Sequence, residues 1–285
     1  MDQIKISLEH VSYTYSKGTP FEIKALDDVS LNIRTGTVTG IIGHTGSGKS
    51  TMVQLFNGLT RPMEGRILLD GVDIWEKPKE IGKIRFRVGL VMQYPEYQLF
   101  EETVEADIAY GPRNMGLDED EIRSRVAEAA RFVGLSPEML TKSPFDLSGG
   151  QKRRAALAGI IAMRPEVLVL DEPAAGLDPM GRDAILNGIC EYQKESGATV
   201  LIVSHSMEDM ARYCDDIIVM DHAKVRMHGP RDEIFARSDE LIDAGLDIPE
   251  ITKLIWLLRS RGIDVDRSIY TVDRAEQELA HLFGI

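Results

Sequence analysis

Twelve residues, GIIGHTGSGKST from Gly40 to Thr51, restrict the fold more than any other stretch of this chain. A short apolar run ends in a glycine-rich turn, and the turn opens onto a segment of helical pattern. The spacing fits G-x-x-x-x-G-K-[ST] from Gly43 to Ser50. Glycines let the backbone fold inward so that its N–H groups ring an anion, and a helix N-terminus adds partial positive charge. Lys49 is then expected to reach the β and γ phosphates, and the Ser50 hydroxyl to ligate Mg2+. A chance glycine turn would lack the strand before it. The stretch predicts nucleotide binding on an α/β framework, but not which kind of nucleotide hydrolase.

Other short apolar runs recur between Gly, Asp or Asn residues: GRILLDG, RVGLVMQ, PEVLVLDEP, ATVLIVSH, DDIIVMDH and KVRMHG. Most are continuous rather than alternating, as in strands covered on both faces. Helical patterns lie between some of them, which predicts crossovers and a largely parallel sheet. The opening IKISLEHVSYTYS alternates and predicts a separate antiparallel layer. Between Pro112 and Ser148 the texture turns helical. Ile122, Val126, Ala129, Ala130 and Val133 share one stripe, and Asp118 with Glu121 has the spacing of a capping box. This predicts a helical insert within the α/β domain. After Gly229, Ile251, Leu254, Ile255 and Leu258, then Val272, Ala275, Leu279 and Leu282, recur at helical spacing and predict a helical tail.

Composition narrows the class. The 285 residues are 43% hydrophobic and 28% charged, ordinary for a folded chain with ample core. A net charge of −13 argues against gripping a nucleic-acid backbone, for which only a local basic patch would serve. Cys190 and Cys214 offer no disulfide framework and no metal-ligand spacing, and read as structural thiols in a reducing compartment. No apolar run approaches the roughly 18–20 residues that cross a bilayer, and MDQIKISLEH lacks the features of a signal peptide. The expectation is a cytosolic chain that touches a membrane only through a partner.

Three further motifs carry chemistry. VLVLDEP ends a buried strand in Asp171, which is suited to the Mg2+ shell. Glu172 follows and is placed to orient or deprotonate an attacking water. On its own such a strand end is as often structural; downstream of a phosphate loop it reads as catalytic. In LSGGQKRR, Leu147 to Arg154, Ser148 can cap a helix whose first turn is Gly149 and Gly150, which leaves N–H groups aimed outward. That is a second anion-binding surface, a simple capped helix being the alternative. His205, in SHSM after the run TVLIV, stands at a strand end where it can meet a γ phosphate or polarise the water.

In this order, these motifs resemble those of the ATP-binding-cassette (ABC) ATPases over residues 4–229. The resemblance implies a P-loop α/β cassette with a RecA-like parallel sheet core, an antiparallel β layer and a helical subdomain. The cassette would span 1–229, with the helical subdomain at about 94–163, and 230–285 would be a C-terminal helical extension supporting a dimer. It implies ATP and Mg2+ as ligands. The phosphate loop would be Gly43, His44, Thr45, Gly46, Ser47, Gly48, Lys49, Ser50 and Thr51, with Tyr15 rather than Tyr13 stacking on adenine. Gln93 would sense the γ phosphate and join Ser50 and Asp171 around Mg2+, the last through water. Two cassettes would pair head to tail, so that Ser148, Gly149, Gly150 and Gln151 serve the partner's nucleotide and Asp178 lies along the seam. With Glu172 and His205 both present, the site should hydrolyse ATP.

The stretch QYPEYQLFEETVEADIAYGP, Gln93 to Pro112, narrows the family. It holds four aromatic residues, one Leu and five carboxylates in twenty positions. It resembles the form Q-x-P-x-x-Q-L-F-x-x-T-V-x-x-D-I-A-x-G-P of the ATPases of energy-coupling-factor importers, and its Tyr94 and Glu96 are similar to the second ATPase type of their heterodimers. The resemblance implies a groove for a transmembrane coupling subunit, with Tyr94, Tyr97, Leu99 and Phe100 as apolar anchors and Glu96, Glu101, Glu102 and Glu105 as partners for basic residues. It implies a second ATPase as partner, in a heterodimer or a homodimer. It also implies indirect contact with a substrate-binding membrane subunit, a place on the cytoplasmic membrane face, and ATP-driven uptake of vitamins or other micronutrients. The rivals are the ATPase of another ABC importer, or a soluble cassette acting on nucleic acid or ribosomes. The latter lacks its usual insertions here, and no nucleic-acid partner is expected.

Overall fold

A computed structural model of the chain describes residues 3–266 and 268–283, so the outer limits of the 1–229 and 230–285 division lie outside the described residues. The chain opens with two long strands, β1 (Ile4–Tyr15) and β2 (Ile23–Arg34), paired antiparallel with several bulges. Next, β3 (Val38–Gly43), buried throughout, delivers the chain into the glycine loop and α1 (Lys49–Phe56). β4 (Glu64–Leu69) and the short β5 (Val72–Asp73) return to the first layer, giving a four-stranded sheet in the order β2-β1-β4-β5. GRILLDG therefore belongs to this antiparallel layer and not to the parallel sheet. Its burial explains why: Ile67 and Leu69 are covered while Arg66 is exposed, as in a strand packed on one face.

The central sheet contains β6 (Val88–Val91), β7 (Val167–Asp171), β8 (Thr199–Val203), β9 (Asp216–Asp221) and the antiparallel edge strand β10 (Lys224–Pro230). Its order is β10-β9-β3-β8-β7-β6, and β3, β6, β7, β8 and β9 run parallel. Their continuous apolar runs follow from cover on both faces. On one face α1 and the antiparallel layer bury Ile6, Leu26, Met52 and Phe56 against Ile41, Val169 and Leu201. On the other, Leu168, Leu170 and Val200 meet a helical layer.

That layer follows α2 (Ile81–Arg87) and comprises α3 (Val104–Asn114), α4 (Glu119–Phe132), the one-turn α5 (Pro137–Leu140), α6 (Gly149–Ile161) and α7 (Pro179–Ser196). The whole predicted stripe of α4, from Ile122 to Val133, is buried. Only half of the expected capping box forms. Asp118 accepts the Glu121 N–H at 2.9 Å, but the Glu121 carboxylate turns instead to Arg125 at 2.7 Å and Arg164 at 3.0 Å. The stronger attraction of two guanidinium groups outcompetes one neutral N–H. Where α7 crosses the end of α4, Gly188 permits contact that a Cβ would block by striking the Phe132 carbonyl oxygen.

After α8 (Met207–Tyr213), the tail contributes α9 (Arg231–Phe235), α10 (Ser238–Asp243), α11 (Glu250–Ser260) and α12 (Val272–Phe283). Ile255, Val265, Ile269 and Ala275 form a small core of their own. Tyr270 joins the tail to the cassette by packing on Phe235 and donating its hydroxyl to Asp232 at 2.5 Å. Leu254, Val272 and Leu282, expected on the apolar stripes, stay exposed.

Candidate active site

The parallel strands end together at one edge of the sheet, and their C-terminal loops build the site, as open α/β sheets generally do. The glycine loop leaves β3 with backbone that only glycine supports cheaply. Gly48 has φ +105, and a side chain there would run into the Ala25 carbonyl oxygen; Gly43 faces the same obstacle at Met220. No side chain caps α1, so its first N–H groups are available to an anion. Lys49, almost fully buried, donates through Nζ to the carbonyl oxygens of Gly43 at 2.6 Å and His44 at 2.9 Å. Burial pulls its pKa below the usual lysine value, and the charges of Glu172 and Asp171 oppose that shift.

One cleft of about 460 Å3 gathers Tyr15, Thr45, Gly46, Gly48, Lys49, Ser50, Thr51, Gln93, Asp171, Glu172 and His205. Tyr15 sits at its rim with its hydroxyl 3.1 Å from Thr51 Oγ1, whereas Tyr13 packs toward the core. Burial raises the Asp171 pKa, and the neighbouring Ser50 hydroxyl and Lys49 charge oppose that shift. Next to it, Glu172 takes left-handed backbone, φ 55, an arrangement that costs energy for a non-glycine residue and turns the carboxylate into the cleft. Burial, then the Asp171 charge, push the Glu172 carboxyl up to about 7. His205 Nε2 stands 3.2 Å from Glu172 Oε1, within ion-pair reach but too poorly aligned for a hydrogen bond, so Oε1 has no hydrogen-bond partner. Burial and the nearby Lys49 charge lower the His205 pKa, so a neutral imidazole faces the carboxyl near neutral pH. Together these groups can hold a polyphosphate, accept a proton from water and supply hard oxygen ligands.

Three loop residues stand apart from the cleft. Ser47 is fully buried, and its N–H closes the turn onto the His44 carbonyl oxygen at 3.1 Å, so it shapes the loop. The His44 side chain turns away, placing Nε2 3.1 Å from Asp221. Gly43 serves by allowing close approach. Neither the Ser47 nor the His44 side chain lines the cleft, and what these three positions can offer there is their backbone.

The residues of the LSGGQ stretch, the family's signature segment, occupy a different cleft of about 310 Å3, where Ser148 and Gly150 face Gly176, Asp178 and Gly181. Ser148 caps α6 in a full capping box: its Oγ accepts the Gln151 N–H, and Gln151 Oε1 accepts the Ser148 N–H at 2.9 Å. The Gln151 side chain, expected to bind nucleotide, is therefore engaged within its own helix start. Gly149 is open to solvent space. Asp178 caps α7 by accepting the Gly181 N–H at 2.6 Å.

After Gln93 the chain turns sharply, with Tyr94 at φ 57 and a 3-10 turn over Pro95–Gln98. The Glu96 expectation is corrected here. Its carboxylate is almost buried and takes two hydrogen bonds from Arg153, at 3.1 and 2.9 Å, so it cannot offer itself to a partner. Glu102 and Glu105 remain exposed, and Tyr94, Tyr97 and Phe100 project outward. Leu99, Phe100 and Tyr110 line a groove of about 310 Å3 alongside α6. Asp107 braces this groove by accepting the N–H groups of Phe100 and Glu101, at 3.2 and 3.3 Å. Sequence reasoning assigned no role to Arg153 or Asp107. For Arg153 nothing in the local pattern named a partner, since it lies among charged neighbours on a helix start.

A family model described as ABC transporter matches residues 26–175. The chain is 53% identical to the energy-coupling factor transporter ATP-binding protein EcfA2 of Clostridium acetobutylicum, covering 96% of each chain. It is 46% identical to the protein of the same name from Listeria monocytogenes, over 97% of each. Among solved structures it is similar to cbiO1 of Clostridium perfringens, described as part of the ABC transporter complex cbiONQ. That match has TM-score 0.76 and 42% identity, with 90% of this chain and 99% of that one covered. A dimeric ATP-binding cassette in a post-hydrolysis state with ADP and Pi matches at TM-score 0.71 and 30% identity, over 79% and 98%.

Proposed function

This chain belongs to the ATP-binding, ATP-hydrolysing subunits of energy-coupling factor ABC importers, and we propose that it works as one of two paired ATPases that drive a transmembrane subunit. The observation that carries this reading is the convergence of Lys49, Gln93, Asp171, Glu172 and His205 on one cleft while Ser148 and Gly150 line another. A cassette with its signature residues in a separate cleft needs a second cassette to complete each nucleotide site. The dimeric state of a solved relative supports that pairing. The partner is a second ATPase of related sequence, a heterodimer being the first choice and a homodimer the second. The tail, 230–285, would support the dimer through its exposed outer residues, outside the 1–229 cassette and its helical subdomain at about 94–163.

The residues divide the work. Tyr15 stacks on the adenine, and the loop N–H groups with Lys49 hold the phosphates. The oxygen donors Ser50 and Gln93, with Asp171 acting through water, suit a hard cation, and Mg2+ held there would neutralise phosphate charge. Glu172, with its raised pKa, takes the proton of the attacking water, and His205 orients that water and meets the γ phosphate. Gly149 and Gly150 present N–H groups, and Ser148 its hydroxyl, to the partner's nucleotide, and Asp178 lies along the seam. Gln93 links phosphate occupancy to the turn that follows it.

The groove beside Phe100 and Tyr110 is where a basic, amphipathic segment of the transmembrane subunit docks, with the exposed Glu102 and Glu105 of the same stretch of chain as partners for its basic residues. Among the described residues no helix is long and apolar enough to cross a membrane. Attachment at the cytoplasmic face therefore runs through that subunit, which engages the substrate-binding membrane protein that takes up a vitamin or other micronutrient. The test is to tag the chain, extract membranes in mild detergent and identify what co-purifies. A second cassette with small hydrophobic subunits is expected; recovery of nucleic-acid machinery would overturn the reading.

A further inference from the structure

Outside the nucleotide cleft, three side chains converge where the phosphate loop meets the turn between β9 and β10. His44 Nε2 lies 3.1 Å from Asp221 Oδ1, and His222 Nε2 lies 3.7 Å from the same oxygen. The ligand atoms of all three residues fall within 4.8 Å of one another. The His44 ring has acceptors at both ends, since Nδ1 is 2.9 Å from the Thr45 carbonyl oxygen while Nε2 faces the carboxylate. The tautomer decides which of these contacts is a hydrogen bond; with Nδ1–H donating to the carbonyl, Nε2 turns its lone pair toward the carboxylate, the form in which an imidazole ligates a metal ion. Arg226 holds the other carboxylate oxygen, Oδ2, at 3.1 Å and leaves Oδ1 to the two imidazoles.

From this geometry we infer that His44, Asp221 and His222 form a binding site for a divalent transition-metal ion, Zn2+ foremost, that fastens the phosphate loop to the β9–β10 turn. Two imidazoles and one carboxylate suit Zn2+, Co2+ or Ni2+ and not the hard Mg2+ ion. Bond lengths of about 2.0–2.2 Å put tetrahedral ligand atoms roughly 3.3–3.6 Å apart. The two measured edges bracket that spacing, and rotation of the exposed His222 ring closes the third. The ion would act on the loop through His44, whose carbonyl oxygen takes both Lys49 Nζ and the Ser47 N–H. A loop clamped there releases Lys49 to incoming phosphate more slowly. Ion binding stands independently of the ATPase reading, whereas this effect on turnover rests on it.

The experiment is calorimetric titration of the full, nucleotide-free chain with Zn2+, and with Co2+ followed by visible absorption. His222→Asn suits it because Asn tolerates the left-handed backbone of His222, φ 44, so the turn persists. One ion per chain is expected, with affinity falling at least about tenfold in His222→Asn and unchanged in His10→Ala, a histidine remote in sequence and paired with Asp28. Equal affinity in His222→Asn and the parent, or equal loss in His10→Ala, would overturn the site. With excess Mg2+-ATP, added Zn2+ should slow the parent and spare His222→Asn; equal slowing of both would overturn the clamp while leaving the ATPase assignment untouched.

Discussion

Glu96 and Arg153, 57 positions apart in sequence, are joined by two hydrogen bonds of 3.1 and 2.9 Å. The same guanidinium donates to the Ala175 carbonyl oxygen. One buried cation thus holds together the turn after Gln93, the signature helix α6 and the loop that follows Glu172. Those are the three segments to which the proposed function gives the sensing of phosphate, the partner's nucleotide and hydrolysis.

Breaking that pair should destabilise the fold. Glu96→Ala leaves the Arg153 charge buried without its partner, which costs about 3–5 kcal/mol. Glu102→Ala, on the exposed side of the same segment, should stay within about 0.5 kcal/mol. Urea unfolding of both variants checks this. Similar midpoints for the two would mean that the buried pair contributes no more than a surface residue.

Glu172→Gln should bind ATP and barely hydrolyse it. Losing a general base lowers turnover by roughly 10²–10⁴-fold, and the amide keeps the shape of the cleft. Single-turnover hydrolysis together with nucleotide retention on a filter measures both halves. Normal turnover would remove Glu172 from its role.

The same carboxyl sets a pH dependence of two opposite signs. Raised from an ordinary 4.5 to about 7, it acts as a base only when ionised, so turnover should climb as pH rises through about 7. Stability runs the other way. Because the folded-state pKa is above the unfolded value, the carboxyl's stabilising contribution is complete below about 4.5 and lost as pH rises through about 7. Compared with the parent, Glu172→Gln should therefore gain relative stability across that window. A flat difference in unfolding free energy would refute the shift.

Lys49→Ala should weaken ATP binding by roughly 10–100-fold, the scale of a charge-assisted hydrogen bond to phosphate. The fold should survive, because the lysine now rests only on the carbonyl oxygens of its own loop. Fluorescent-nucleotide titration measures the loss, and unchanged affinity would contradict the role of the loop.

Gly188→Ala tests the packing of α7 on α4. The added methyl meets the Phe132 backbone, which cannot swing aside as a side chain would. Overpacking of this kind costs about 1–3 kcal/mol. An unchanged thermal midpoint would show that the two helices can separate freely.

Much of this architecture was legible along the chain. Continuous apolar runs marked β3, β7, β8 and β9, because cover on both faces leaves no reason to alternate. The stripe from Ile122 to Val133 marked the buried side of α4. That Lys49, Ser50, Asp171, Glu172 and His205 would share one cleft was legible because each motif stands at a strand end. GRILLDG was not, since a run of that length can serve either sheet until its neighbours are known. The motifs did not announce that the Ser47 N–H closes the loop's own turn or that the Gln151 side chain completes its helix cap.

What the sequence determined by itself is therefore local: periodicity, caps, glycine turns, and which residue types stand at each strand end. Those depend on neighbours a few positions away, within one turn or one strand. Tertiary structure alone decided which charges find each other. Glu96 reaches Arg153 across 57 positions, Lys5 reaches Glu166 across 161, and His44 reaches Asp221 across 177. Spacing in the chain records that a side chain is polar and where its element turns. Only the packed sheet and helices say whether that charge meets a partner inside or is left on the surface for another molecule, because desolvation sets its energy once the neighbours are in place.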